Sequence, residues 1–131
     1  MKNSLFSILA LLIFAPSLSA APIRSENNLN FPKVTSYRSA SCGCCKKWVN
    51  HLRSNGLEVV DNVAEDISLI KNQYLVPNNL QSCHTAKMGI YLLEGHVPFE
   101  SIKKLNLKSP TIVGIAVPGM PHGSPGMEVY D

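Results

Sequence analysis

Three of the four cysteines fall within four positions, at the junction of two sequence patterns. They are Cys42, Cys44 and Cys45. Residues 33–38, just before them, are rich in the β-branched and aromatic side chains of a strand. From Cys45 onward, apolar residues recur with the spacing of an amphipathic helix. The cysteines are therefore predicted at the amino end of a helix that directly follows a strand.

Strand-like and helix-like segments alternate along the rest of the chain. The first helix is predicted to stop at Asn55-Gly56. Further strands are predicted at 57–60, 88–93 and 111–117, and further helices at 64–74 and 98–105. A short strand-helix-strand unit requires parallel strands. The pattern therefore predicts an α/β fold, a single thioredoxin-like sandwich domain that ends in a Pro/Gly-rich C-terminal loop.

The N-terminus has the pattern of a secretory signal. Lys2 precedes an apolar run, and small residues follow up to Ala21. We therefore expect residues 1–21 to be a signal peptide, residues 22–32 a linker and residues 33–131 the domain. The apolar run is shorter than the ~20 residues needed to span a bilayer. The mature chain is predicted to be exported, soluble and without a membrane span.

The balance of charged side chains and the expected export of the protein narrow the range of possible functions. Removal of Lys2 leaves 11 of the 12 basic side chains against 9 acidic ones, which is too balanced for a phosphate-binding stripe. Nucleic acid is therefore not an expected partner. Exported thiols tend to form disulfides unless a metal or a dedicated reductant holds them. A cluster of three cysteines in such a protein needs a chemical explanation.

The spacing of Cys42 and Cys45 is that of a redox-active dithiol at a helix N-terminus. The helix dipole, Lys46 and Lys47 all favour a thiolate at Cys42. Cys44 does not fit this pattern, because a dithiol enzyme needs only an attacking and a resolving sulfur. Three thiolates on one helical turn favour a soft metal instead.

Further soft donors occur elsewhere in the chain and favour copper over zinc. Thiolates and thioethers select Cu(I), whereas structural zinc sites usually show two spaced Cys or Cys/His pairs. We therefore predict a copper site built from a common set of sulfur and imidazole donors. The candidate ligands are Cys42, Cys44, Cys45, Cys83, His84, Met120, His122 and Met127.

Three other residues are assigned elsewhere. His51 lies seven residues beyond Cys44 on the predicted helix, roughly 10 Å away and out of ligand range. His96 precedes Val97-Pro98 and is interpreted first as a helix-capping residue, and second as a group that supports a ligand from behind. Trp48 is assigned to the core.

Four motifs together resemble a known family. They are Cys42–Trp48, Ser82–Ala86, Glu94–Pro98 and Val117–Glu128, spread over residues 33–129. The family consists of exported proteins catalogued as a domain of unknown function, and it includes periplasmic copper-resistance proteins. The resemblance implies a thioredoxin-like fold and a cysteine-bridged cluster of copper ions that interconverts Cu(I) and Cu(II). Residues that match the family's motifs are Cys42, Cys44, Cys45 and Cys83, with His84 and Met120 in matching segments.

The leading prediction is therefore a periplasmic protein that holds Cu(I), as more than one ion, in a cysteine-rich cluster for copper resistance. Its expected partners are copper ions and other periplasmic copper-handling proteins. Two alternatives remain open. One is a thiol-disulfide oxidoreductase that uses Cys42 as nucleophile and Cys45 as resolving thiol. The other is a non-catalytic domain stapled by two disulfides.

Overall fold

The structure is a computed structural model that describes residues 29–129. The predicted signal peptide, residues 1–21, and residues 22–28 of the predicted linker lie outside the described residues. The end of that linker contacts the domain, because the ring of Phe31 packs against Phe99 with centroids 5.7 Å apart. None of the helices within 29–129 is long and apolar enough to cross a bilayer.

Five strands and three α-helices follow one another in a mixed order. The strands are β1 (Val34–Arg38), β2 (Val59–Val63), β3 (His84–Met88), β4 (Tyr91–Glu94) and β5 (Gly114–Ala116). The helices are α1 (Gly43–Ser54), α2 (Ile67–Gln73) and α3 (Phe99–Lys108), with a short 3-10 turn at Asn78–Leu80.

The strands form one mixed sheet in the order β2-β1-β3-β4-β5. β1 is parallel to β2, as the strand-helix-strand pattern predicts, and β4 is parallel to β5. β3 runs antiparallel to both of its neighbours. The predicted α/β class and single domain are confirmed. The more specific thioredoxin-type assignment stays a prediction.

The predicted strand over 88–93 is wrong, because the chain reverses direction within it. β3 ends at Met88, Gly89 adopts a φ of +58°, and β4 begins at Tyr91. Met88, Tyr91 and Leu93 are all buried, so the hairpin reads in sequence as one apolar run. The last strand is also shorter than predicted, because only Gly114–Ala116 pairs with β4.

The apolar face of α1 is the one that its periodicity predicts. Cys45, Trp48, Val49 and Leu52 are fully buried, and the helix ends at Ser54, directly before Asn55 and Gly56. The Trp48 indole N–H donates to the carbonyl oxygen of Val97 at 2.9 Å. Core packing therefore holds the amino end of α1, with its cysteines, against the segment that leads into α3.

Candidate metal centre

The first three cysteines occupy the N-terminal turn of α1. Cys42 is the N-cap residue, and its sulfur forms a disulfide with Cys45, which lies one turn further on. The two Cα atoms are 5.3 Å apart, a separation that a C-x-x-C segment reaches on entering a helix. Cys44 is a free thiol, with its Sγ 3.5 Å from that of Cys42. The dithiol and the extra cysteine thus share one turn.

The fourth cysteine arrives from the sheet. Cys83 lies in the bend just before β3, and β3 runs antiparallel to β1 with His84 opposite Arg38. This register brings the start of β3 to the end of β1, where the chain turns into α1. The ligand atoms of all four cysteines consequently lie within 4.8 Å of one another.

Two buried imidazoles complete the group on the Cys83 side. The Cys83 sulfur is 3.3 Å from Nδ1 of His84 and 3.0 Å from Nε2 of His96. These three donor atoms form a second set within 4.8 Å of one another, and it shares Cys83 with the four-cysteine set. The centre therefore has a sulfur-rich side and a side with one sulfur and two nitrogens.

The structure gives His96 a different place from the one first predicted from the sequence. The helix-capping interpretation is wrong, because Pro98 is the N-cap of α3 and no side chain of the described residues caps that end. Its Nδ1 lies 2.7 Å from the carbonyl oxygen of Pro125. A carbonyl only accepts, so Nδ1 carries a proton and donates it to Pro125, and Nε2 is the ring nitrogen that faces Cys83. The available signal was its place in the Glu94–Pro98 motif.

His84 is fully buried and neutral. Burial, assisted by His96 and Lys71, lowers the pKa of its imidazole to about 3. Its ring lies 4.4 Å from that of Trp48, centroid to centroid, and within residues 29–129 its Nε2 has no hydrogen-bond partner. A neutral imidazole is the form that binds metals.

The Cys83 thiol is held protonated in the metal-free protein. Burial is the main cause that raises the pKa of Cys83 to about 11, and the nearby Cys44 adds to it. A thiol in this position becomes a stable thiolate when a cation replaces its proton. The site is therefore better suited to bind a cation than to present Cys83 as a free nucleophile.

The C-terminal segment is anchored to the site at two glycines. Gly119 pairs with Ser82, next to Cys83, and its backbone N–H donates to the Gln81 carbonyl oxygen at 3.2 Å. A Cβ on Gly126, where φ is +91°, would lie 2.6 Å from the carbonyl oxygen of Cys44. Only a residue without a side chain can therefore lie this close to the first turn of α1.

The C-terminal segment also contains three of the predicted ligands. Met120 and Met127 each follow one of the two anchored glycines; Met120 is exposed and Met127 half-buried. His122 is exposed and belongs to neither set of close donor atoms found within residues 29–129. A ligand role for these three residues stays a prediction.

Two further expectations can be compared with the structure. His51 is outside the site, as predicted, and its Nε2 accepts the backbone N–H of Phe99 at 3.3 Å. The two-disulfide staple is wrong, since Cys44 and Cys83 are free thiols.

Comparison with known proteins identifies the family. Residues 80–127 match the model of the family described as protein of unknown function, DUF411. A structure titled copper resistance protein CopG, form 2, is 47% identical, with a TM-score of 0.71 over 76% of this chain and 81% of that one. The chain belongs to the DUF411 family.

A second CopG structure, form 1, gives the same result for this DUF411 protein. It is 46% identical, with a TM-score of 0.71 over 78% of this chain and 81% of that one. A search of curated proteins found no match. The family resemblance drawn from the four sequence motifs is thus confirmed.

Proposed function

We propose that this protein is a periplasmic copper-binding protein that holds Cu(I), as more than one ion, in its cysteine cluster and serves copper resistance. The observation that carries the proposal is the convergence of four cysteine sulfurs and two buried imidazoles, donors that suit copper. Relatives titled as copper resistance proteins support copper as the metal.

The two sides of the centre differ in a way that supports redox cycling of copper. The four sulfurs favour Cu(I), whereas a set of two histidines and one cysteine also accommodates Cu(II). Cys83 belongs to both sets. An ion beside Cys83 therefore has ligands suited to either oxidation state within reach, which is the basis for proposing Cu(I)/Cu(II) interconversion in which an external redox partner gives or takes the electron.

A thiol-disulfide oxidoreductase is the second candidate, and one observation favours it. The two cysteines joined in the structure, Cys42 and Cys45, are the pair that such an enzyme would use. Binding of copper by all four cysteines requires this disulfide to be reduced. The two functions therefore predict different Cu(I) binding by a reduced, oxygen-free sample.

The test is Cu(I) binding by the reduced mature protein without oxygen, measured as stoichiometry and as competition with a strong Cu(I) chelator. Wild type is compared with Cys44→Ser and with Asn50→Ser, an exposed position further along the same helix. We expect more than one Cu(I) per chain, a large loss of affinity in Cys44→Ser and wild-type binding in Asn50→Ser.

The opposite result would favour the oxidoreductase. Weak Cu(I) binding by wild type, or an unchanged Cys44→Ser variant that still reduces insulin disulfides, would contradict the copper proposal. Loss of that reductase activity in Cys42→Ser would then identify the dithiol as the functional group.

A further inference from the structure

A network of buried polar side chains lies behind the Cys83-His84 pair. Lys71 and Glu94 form an ion pair, although their residues are only 4% and 3% exposed. The Lys71 ammonium also donates to Thr85 Oγ1 at 3.0 Å. The network thus joins α2, β3 and β4 directly beneath the metal centre.

Stability alone does not account for this ion pair. Removing two charges from water costs several kcal/mol, and apolar side chains of similar volume often stabilise a protein as well or better. Lys71 is the one buried residue of the short helix α2. The location of the pair therefore calls for a role in the neighbouring site.

The Glu94 carboxylate reaches both sides of the Cys83-His84 pair. Its Oε1 accepts the backbone N–H of Ser82 at 2.8 Å, and its Oε2 accepts the hydroxyl of Thr85 at 2.6 Å. These are the residues directly before Cys83 and directly after His84. One carboxylate therefore restrains the backbone directly before Cys83 and the Thr85 side chain directly after His84.

We propose that Glu94 is a positioning residue of the metal centre, whose buried carboxylate, neutralised by Lys71, clamps the Cys83-His84 pair at both ends. Glu94 itself ends β4 and is followed by Gly95-His96, so the same residue connects all three donors of the nitrogen-containing set. This inference rests on the proposed function, in that the held groups are taken as copper ligands.

Two double variants isolate the clamp from the ion pair. Lys71→Met with Glu94→Gln removes both charges but keeps polar atoms that can bond Ser82 and Thr85. Lys71→Met with Glu94→Met removes the charges and the clamp together. Each is made with Cys83 intact and with Cys83→Ser, and Cu(I) affinity is measured by chelator competition. Thermal unfolding verifies that each variant folds.

With Cys83 intact, we expect the Met variant to bind Cu(I) about ten-fold or more weakly than the Gln variant, a usual effect of losing a group that orients a ligand. In the Cys83→Ser background the difference between the two should be smaller, because only His84 is then left for the clamp to position. Equal affinities with Cys83 intact, or the same loss in both backgrounds, would overturn the proposal, because a purely structural role does not depend on Cys83.

A copper-free measurement separates this inference from the proposed function. The form with the Cys42–Cys45 disulfide has two free thiols, Cys44 and Cys83, and both can be alkylated with iodoacetamide and followed by mass spectrometry. Loss of the clamp should speed alkylation of Cys83 and leave that of Cys44 unchanged. An unchanged Cys83 rate would overturn the clamp, whether or not the protein binds copper.

Thr85→Val provides a second variant should the Met variant fail to fold. It is close to isosteric and removes only the hydroxyl, which donates to Glu94 and accepts from Lys71. We expect faster alkylation of Cys83 in this variant as well, with Cys44 again as the internal reference. A rate equal to that of wild type would count against the clamp.

Discussion

The Nε2 atom of His96 lies 3.0 Å from the sulfur of Cys83, in a pocket where His96 is fully buried. His122, the histidine predicted as a ligand, is exposed and lies outside both sets of donor atoms. The geometry therefore favours His96 as the imidazole that binds the metal together with His84. This assignment can be tested with matched substitutions.

His96→Gln should weaken Cu(I) binding by about ten-fold or more, because the glutamine cannot replace an imidazole lone pair. His122→Gln is the matched control and should bind within about two-fold of wild type. Competition with a Cu(I) chelator measures both. A large loss in His122→Gln with little change in His96→Gln would restore the assignment made from sequence.

Gly126→Ala should destabilise the protein more than Gly123→Ala. Both glycines have positive φ, +91° and +83°, so each alanine costs ~1–2 kcal/mol of backbone strain. Only at Gly126 would the new Cβ also meet other atoms, 2.6 Å from the Cys44 carbonyl oxygen and 3.2 Å from His96 Nδ1. Overpacking should add ~1–3 kcal/mol, measured by denaturant unfolding. Equal effects would mean that the segment does not pack there.

The copper-free protein should lose stability as the pH falls from about 6.5 toward 3. In the folded state burial lowers the pKa of His84 to about 3, whereas an unfolded histidine takes up its proton near 6.5. The unfolded state then binds more protons, and stability falls by about 1.4 kcal/mol per pH unit from this group. In His84→Gln, the free energy of unfolding should depend less steeply on pH over this range, by that amount. An unchanged slope would show that His84 is not buried in its neutral form.

Cys83 should react slowly with iodoacetamide in the copper-free protein. Burial raises the pKa of its thiol to about 11, so at pH 8 only about one molecule in a thousand carries the thiolate. The alkylation rate should rise about ten-fold per pH unit up to about pH 11. The urea-unfolded protein is the control, since its cysteines should level off near pH 8.5. A plateau near 8.5 in the folded protein would contradict the burial of Cys83.

Local patterns predicted much of the fold. The buried stripe of α1 follows directly from the spacing of Cys45, Trp48, Val49 and Leu52, because helical periodicity depends on neighbouring residues alone. The α/β class followed in the same way from alternating patterns. The β3–β4 hairpin was missed because both of its strands are buried, so no alternation of polar and apolar residues marks the turn at Gly89.

The sequence by itself determined the chemistry available to the protein: a cluster of cysteines at the start of a helix, and a Cys-His pair further along the chain. The tertiary structure decided which donors meet. The antiparallel pairing of β3 with β1 brings Cys83 to the start of α1, and the carbonyl of Pro125 orients His96. Both contacts join residues far apart in the chain, through sheet register and loop packing. No local pattern records such distances, which is why the contact of His96 with Cys83 was found only in the folded protein.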